Sequence, residues 1–179
     1  IGRALCEVFH KAGAAKVDIT PEKMIWMAGY GSRTKPAEGV EQSLWAKALV
    51  LENAQGKRAV LITLDLVGID RDLSQRVCEQ LASKYGLERA QIALNCSHTH
   101  CGPVVGRNLK PMYFLEDAMW QLIREYTASL DRKIVAVVGD AIGKLAPSQV
   151  SWGQGYVGFA VNRRDNVQIK VPELRAQGK

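Results

Sequence analysis

Gln91-Ile92-Ala93-Leu94-Asn95-Cys96-Ser97-His98-Thr99-His100-Cys101-Gly102-Pro103 joins a short apolar run to a turn. The run from Gln91 to Leu94 reads as a buried strand, and Gly102-Pro103 ends regular structure. Two of the chain's three histidines therefore stand where a strand gives way to a loop, a common place for chemistry on a rigid scaffold. In an extended chain the side chains at i and i+2 point the same way. His98 and His100 are then expected to share a face, with Thr99 on the other. Such a pair is a candidate metal clamp, or a metal ligand beside an acid–base group. For the pair alone the plainer reading is preferred, two hydrogen-bonded histidines in a polar turn, because a metal needs more than two ligands. Cys96 and Cys101 add two thiols that either ligate or pack.

Working outward, residues 73–85 carry Leu73, Val77, Leu81 and Tyr85 every four positions, the buried stripe of a helix. Asp70 or Asp72 can cap its start and Gly86 its end. Upstream, residues 44–52 and 58–67 are two apolar strands around a loop whose length and glycine suit a hairpin. Val60 to Leu64 is apolar on both faces, as in a central strand covered on both sides. Asp65 interrupts it, and a carboxylate there needs a partner. Either a backbone N–H or a metal-bound imidazole meets that need, and both remain open. Residues 14–21 read as a first strand closed by Pro21. The order strand, strand, helix, strand makes this an α/β chain, a mixed sheet with helices packed on its face.

The two glycines of Trp26-Met27-Ala28-Gly29-Tyr30-Gly31-Ser32-Arg33 imply unusual dihedrals or close approach to something. A second helix is expected over residues 115–145, with a possible break at Ser129-Leu130-Asp131 and an end at Pro147. Val150 and Trp152 read as a further strand. Gly153, Gly155 and Gly158 do not follow a strand-into-helix turn, which excludes a dinucleotide fingerprint. No clear element is expected in residues 167–179.

At 179 residues the chain fits one domain with a real core. Its 47% hydrophobic and 23% charged residues are ordinary for a globular protein. No apolar run approaches the length of a membrane span. The net charge of +6 is scattered along the chain. There is no basic stripe interleaved with aromatics, so nucleic acid is excluded as a partner. Contact with an anionic membrane surface stays open. The four cysteines make no repeated ligand pattern.

Several stretches are also familiar as a set. They are Ala14-Ala15-Lys16-Val17-Asp18-Ile19-Thr20-Pro21 with Met27-Ala28-Gly29-Tyr30-Gly31, then Leu64-Asp65-Leu66-Val67-Gly68-Ile69, then His98-Thr99-His100 before Gly102-Pro103, then Asn162-Arg163. In this order they resemble the neutral, non-lysosomal ceramidase family, which are zinc-dependent amide hydrolases. The resemblance runs from about Ala14 to Arg164. It departs at Cys101, where the family usually has serine.

The resemblance implies zinc as cofactor, with His98 as a ligand. It implies that His100 hydrogen-bonds the substrate or transition state, and that Arg163 binds a polar or anionic part of the substrate. Taken alone, Arg163-Arg164 reads as a solvated basic pair. The implied substrate is an N-acyl amphipath such as ceramide, or another small amide, and the implied setting is secreted or periplasmic. The family's remaining zinc ligands are a later histidine, a glutamate and a tyrosine. No histidine follows His100. The chain is therefore expected to be the N-terminal half of a longer catalytic domain whose remainder lies beyond Lys179, or else a degenerate relative. Two other readings stay open: a different metallohydrolase with His98 and His100 as joint ligands and Cys96 or Cys101 completing the site, and a non-catalytic binding module.

Overall fold

The computed structural model describes residues 11–149, 151, 153–159 and 168–178. The chain divides into two units, one of residues 5–150 and one of residues 1–4 with 151–179. The larger unit holds five strands: β1 (Lys11–Asp18), β2 (Trp45–Glu52), β3 (Arg58–Leu64), β4 (Ile92–Cys96) and β5 (Ala146–Pro147). They form one sheet in the order β4-β3-β2-β1-β5. Only the β3–β4 pair is parallel; the other pairs are antiparallel. The sheet is thus mixed, and helices α1 (Arg71–Tyr85) and α2 (Asp117–Gly143) pack on it.

Local chemistry explains most boundaries. Asp70 caps α1 by accepting from Leu73 N at 2.8 Å, satisfying one of the first-turn N–H groups a helix cannot pair itself. Gly86 closes the helix in the left-handed region at φ 65. In the β2–β3 hairpin the Asn53 side chain accepts from Gln55 N and Lys57 N, so one side chain folds the whole loop. Leu73, Val77 and Leu81 from α1 and Leu130, Ile134 and Val138 from α2 join the sheet residues in one core. Truncating any of these leucines or Ile134 to alanine costs about 2–5 kcal/mol. Gly13 lets α2 approach β1 closely, since a Cβ there would overlap the Ala141 carbonyl.

Three expectations need correction. The first is the break in α2, which runs unbroken through Ser129-Leu130-Asp131. Asp131, which looked like a breaker, is buried and accepts from Arg76 Nε at 3.0 Å and Gln80 Nε2 at 2.7 Å, both on α1. It ties the two helices together. The second is the double-sided cover of the central strand. Along β3 burial alternates, Val60, Ile62 and Leu64 being enclosed while Leu61 is 37% exposed. The helices share one core with the enclosed face. The strand expected at Val150 and Trp152 falls on residues outside those described; just before it, β5 pairs with Lys11 and Ala12. The third is the polar end of the chain. There a turn at Gln168–Lys170 leads into the short helix α3 (Val171–Ala176), with proline in its first turn.

Candidate active site

β4 ends at Cys96, and Ser97 N still donates to Leu64 O at 3.0 Å. At His98 the backbone turns into the left-handed region, φ 59. That conformation costs a non-glycine residue about 1–3 kcal/mol. The two imidazoles do come together, with ring centroids 5.1 Å apart and planes at 66°. They meet through this turn and not through the pleat of an extended chain, so the reason given by the sequence pattern was incomplete.

His98 Nδ1 lies 2.9 Å from the Val67 carbonyl. A carbonyl can only accept, so the neutral ring carries its proton on Nδ1 and its lone pair on Nε2. Fixing one ring nitrogen in this way orients the other toward a metal. His98 is exposed. Asp65 does not take the part left open for it. Its carboxylate accepts from Trp45 N at 2.9 Å across the sheet, and the acceptor behind the histidine is the Val67 carbonyl.

His100 is held by the Trp26–Arg33 segment. Ala28 N donates to Gly102 O and Val104 N to Trp26 O, so residues 26–28 run antiparallel beside 102–104, around a bridge between Met27 and Pro103. Gly29 follows at φ 98, and a Cβ on it would lie 2.6 Å from His100 Nδ1. Tyr30 meets the His100 ring edge-on at 4.6 Å. Arg33 lies over Tyr30 at 5.3 Å and donates through Nη2 to the His100 carbonyl at 2.7 Å. The Gly29 N–H donates to the Tyr113 hydroxyl at 3.0 Å, which anchors the segment from behind. Of the two glycines flagged in the sequence, only Gly29 makes the close approach; a Cβ on Gly31 would have Met112 as its nearest neighbour, at 3.7 Å.

Thr99 and Cys101, which alternate with the histidines, line a cavity of about 700 Å³ whose walls include Met24, Ile25, Met27 and Val40. Neither His98 nor His100 lines it. Cys96 is half-buried and packs on the core. Burial pushes its thiol pKa up. Among the described residues no three His, Cys, Asp or Glu side chains converge to hold a metal. The joint-ligand site with Cys96 or Cys101 is therefore not built here. Arg163 lies outside the described residues.

Residues 10–173 match the family described as neutral/alkaline non-lysosomal ceramidase, N-terminal. The chain belongs to this family. It is 30% identical over 170 residues to the neutral ceramidase of Pseudomonas aeruginosa, a match covering 92% of this chain and 25% of that protein. It is 25% identical over 164 residues to neutral ceramidase 1 of Arabidopsis thaliana, covering 89% and 21% respectively. The crystal structure of neutral ceramidase from Pseudomonas aeruginosa aligns with a TM-score of 0.64 and 27% identity over 79% of this chain and 22% of that one. A ceramidase complexed with C2 aligns with a TM-score of 0.67 and 26% identity, over the same shares. The chain spans about a quarter or less of the length of these ceramidases.

The sequence did not single out three groups that hold the His98–His100 turn: the Val67 carbonyl, Arg33 and the Tyr113 hydroxyl. The first is a backbone group and carries no side-chain signature. Arg33 and Tyr113 act on partners 67 and 84 positions away, beyond any local pattern.

Proposed function

We propose that this chain forms part of the catalytic site of a longer zinc-dependent amide hydrolase acting on an N-acyl lipid such as ceramide, or on another small amide. Membership of the ceramidase family supports the reaction class. The observation that carries the assignment of His98 is its bond to the Val67 carbonyl, which leaves Nε2 free as a ligand. That is the arrangement of a metal-binding histidine. A catalytic zinc normally takes three protein ligands and keeps one position open, and on this reading His98 is one of the three.

When bound, zinc supplies Lewis acidity, polarising the amide carbonyl and making water nucleophilic near neutral pH. The chain's own residues have separate tasks. His98 holds the metal and, through Val67, keeps its ring from turning away. His100, beside it, hydrogen-bonds the reacting amide oxygen, where a well-placed donor contributes most as negative charge develops. Arg163 binds a polar or anionic part of the substrate, for which a guanidinium is suited. Contact with an anionic lipid surface would fit the net charge of +6.

The test is release of fatty acid from an N-acylsphingosine by the complete catalytic domain with zinc. Turnover lost in His98→Ala, and strongly lowered in His100→Ala with zinc content unchanged, is the expected result. A complete domain that binds zinc yet releases no fatty acid from any N-acyl amide tried would leave a non-catalytic binding module as the better reading.

A further inference from the structure

We propose that His98 and His100 are held in opposite tautomers, and that Gly29 and Arg33 are the positioning residues that impose the tautomer of His100. This inference rests on the hydrolase reading for its purpose, but not for its evidence. His98 donates from Nδ1 to Val67 O, so its neutral ring presents a lone pair at Nε2. His100 is in the reverse position. Its Nδ1 is buried and has no hydrogen-bond partner, and it is sealed by the bare Cα of Gly29, where a side chain would stand only 2.6 Å away. Arg33 Nε, which can only donate, is also buried without a partner; since an orphaned buried N–H is rarer in folded proteins than an under-used acceptor, a second one at His100 Nδ1 would compound that cost. The proton of neutral His100 therefore belongs on Nε2, which is not among the sealed atoms.

The result is a division of labour between two chemically identical side chains two residues apart. One outward-facing Nε2 offers electrons, as a metal ligand must. The other offers a proton, as a donor to an oxygen must. Neither can exchange roles without breaking a contact. His98 would lose its bond to Val67, and His100 would bury an N–H against Gly29. Arg33 makes the second arrangement rigid. It grips the His100 carbonyl at 2.7 Å while its guanidinium lies over Tyr30, which in turn meets the edge of the His100 ring. The backbone and the ring of His100 are thus held from the same segment.

The test is nitrogen-15 NMR of histidine-labelled protein before any metal is added, at about pH 9, where imidazoles are neutral. The coupling pattern of each ring reports which nitrogen bears the proton. The expected result is a single Nδ1–H form for His98 and a single Nε2–H form for His100. In Gly29→Ala the His100 ring must leave its seat, so its single form gives way to a mixture while that of His98 persists. Arg33→Ala should show the same change to a lesser degree, and Arg33→Lys, which keeps a charged donor, should restore the single form. If Gly29→Ala does not fold, the Arg33 pair and the unsubstituted protein still decide. A tautomer mixture or an Nδ1–H form at His100 in the unsubstituted protein overturns the proposal. So does a single Nε2–H form that survives both Gly29→Ala and Arg33→Ala. Hydrolysis by a complete catalytic domain whose tautomers are unsorted would refute this inference alone; sorted tautomers in a complete, zinc-loaded domain that hydrolyses no N-acyl amide would refute the hydrolase reading alone.

Discussion

Replacing Gly29 by alanine should destabilise the protein far more than the same change at Gly31, two residues along. Both are loop glycines, and no propensity scale separates them. At Gly29 two costs add. The backbone sits at φ 98, a conformation that costs a residue with a side chain about 1–3 kcal/mol. The new Cβ also falls 2.6 Å from Nδ1 and 2.8 Å from Cδ2 of His100, and forcing atoms into a packed site costs about 1–3 kcal/mol. Rotation of the half-buried ring relieves part of the second cost, so we expect a loss of about 2–4 kcal/mol in all. At Gly31 the nearest atom would be 3.7 Å away and φ is not in the left-handed region. Alanine there should change stability by no more than about 0.5 kcal/mol. Urea denaturation followed by tryptophan fluorescence measures both. With a slope of about 2 kcal/mol per molar, Gly29→Ala lowers the midpoint by about 1–2 M, and Gly31→Ala leaves it nearly in place. Equal midpoints for the two variants would refute the packing of Gly29 against His100.

Other outcomes follow from the same contacts. Asp70→Ala should cost about 2 kcal/mol, because the carboxylate caps α1 at Leu73 N and also accepts from Arg107 N at 2.6 Å; Asp72→Ala, which removes only a first-turn charge, should cost about 0.5 kcal/mol by the same denaturation assay. Glu52 is held below the ordinary glutamate range first by its hydrogen bond from Lys11 and then by that from Arg58. A depressed carboxylate stabilises the fold above the ordinary glutamate range, and that stability is lost as pH falls through the lowered value. Stability measured against falling pH should therefore decline less steeply in Glu52→Gln than in the parent protein. In the complete catalytic domain Arg163→Ala should lower turnover more than Arg164→Ala; equal effects would return Arg163 to the role of a solvated charge.

The sequence made legible what local chemistry decides. Asp70 and Gly86 bracket α1 as their side chains dictate, and Asn53 with Gly56 closes the hairpin. The His98–His100 pair was visible because histidines are scarce here and a strand leads into them. The reach of Gly29 was half visible: two glycines announced a close approach, but only the fold decides which one faces a ring. Asp131 misled because a carboxylate inside an apolar helix looks like a flaw until Arg76 and Gln80 arrive from α1. Val60 to Leu64 misled because an apolar residue on a strand does not say whether a helix covers it, and Leu61 lies on the face away from α1 and α2. The Val67 carbonyl was illegible altogether, since every residue offers the same backbone group.

The central claim is that His98 is a zinc ligand dressed by Val67 and that the described residues do not by themselves complete a zinc centre. Isothermal titration of the 179-residue chain with zinc, run beside an N-acyl amide hydrolysis assay, tests it most directly. The account predicts binding weaker than about 1 μM, some 8 kcal/mol, with no turnover. It also predicts that His98→Ala removes what binding there is. Tight one-to-one binding accompanied by turnover that His98→Ala abolishes would show that the centre is complete within these residues, and tight binding indifferent to His98→Ala would show that His98 is not the ligand.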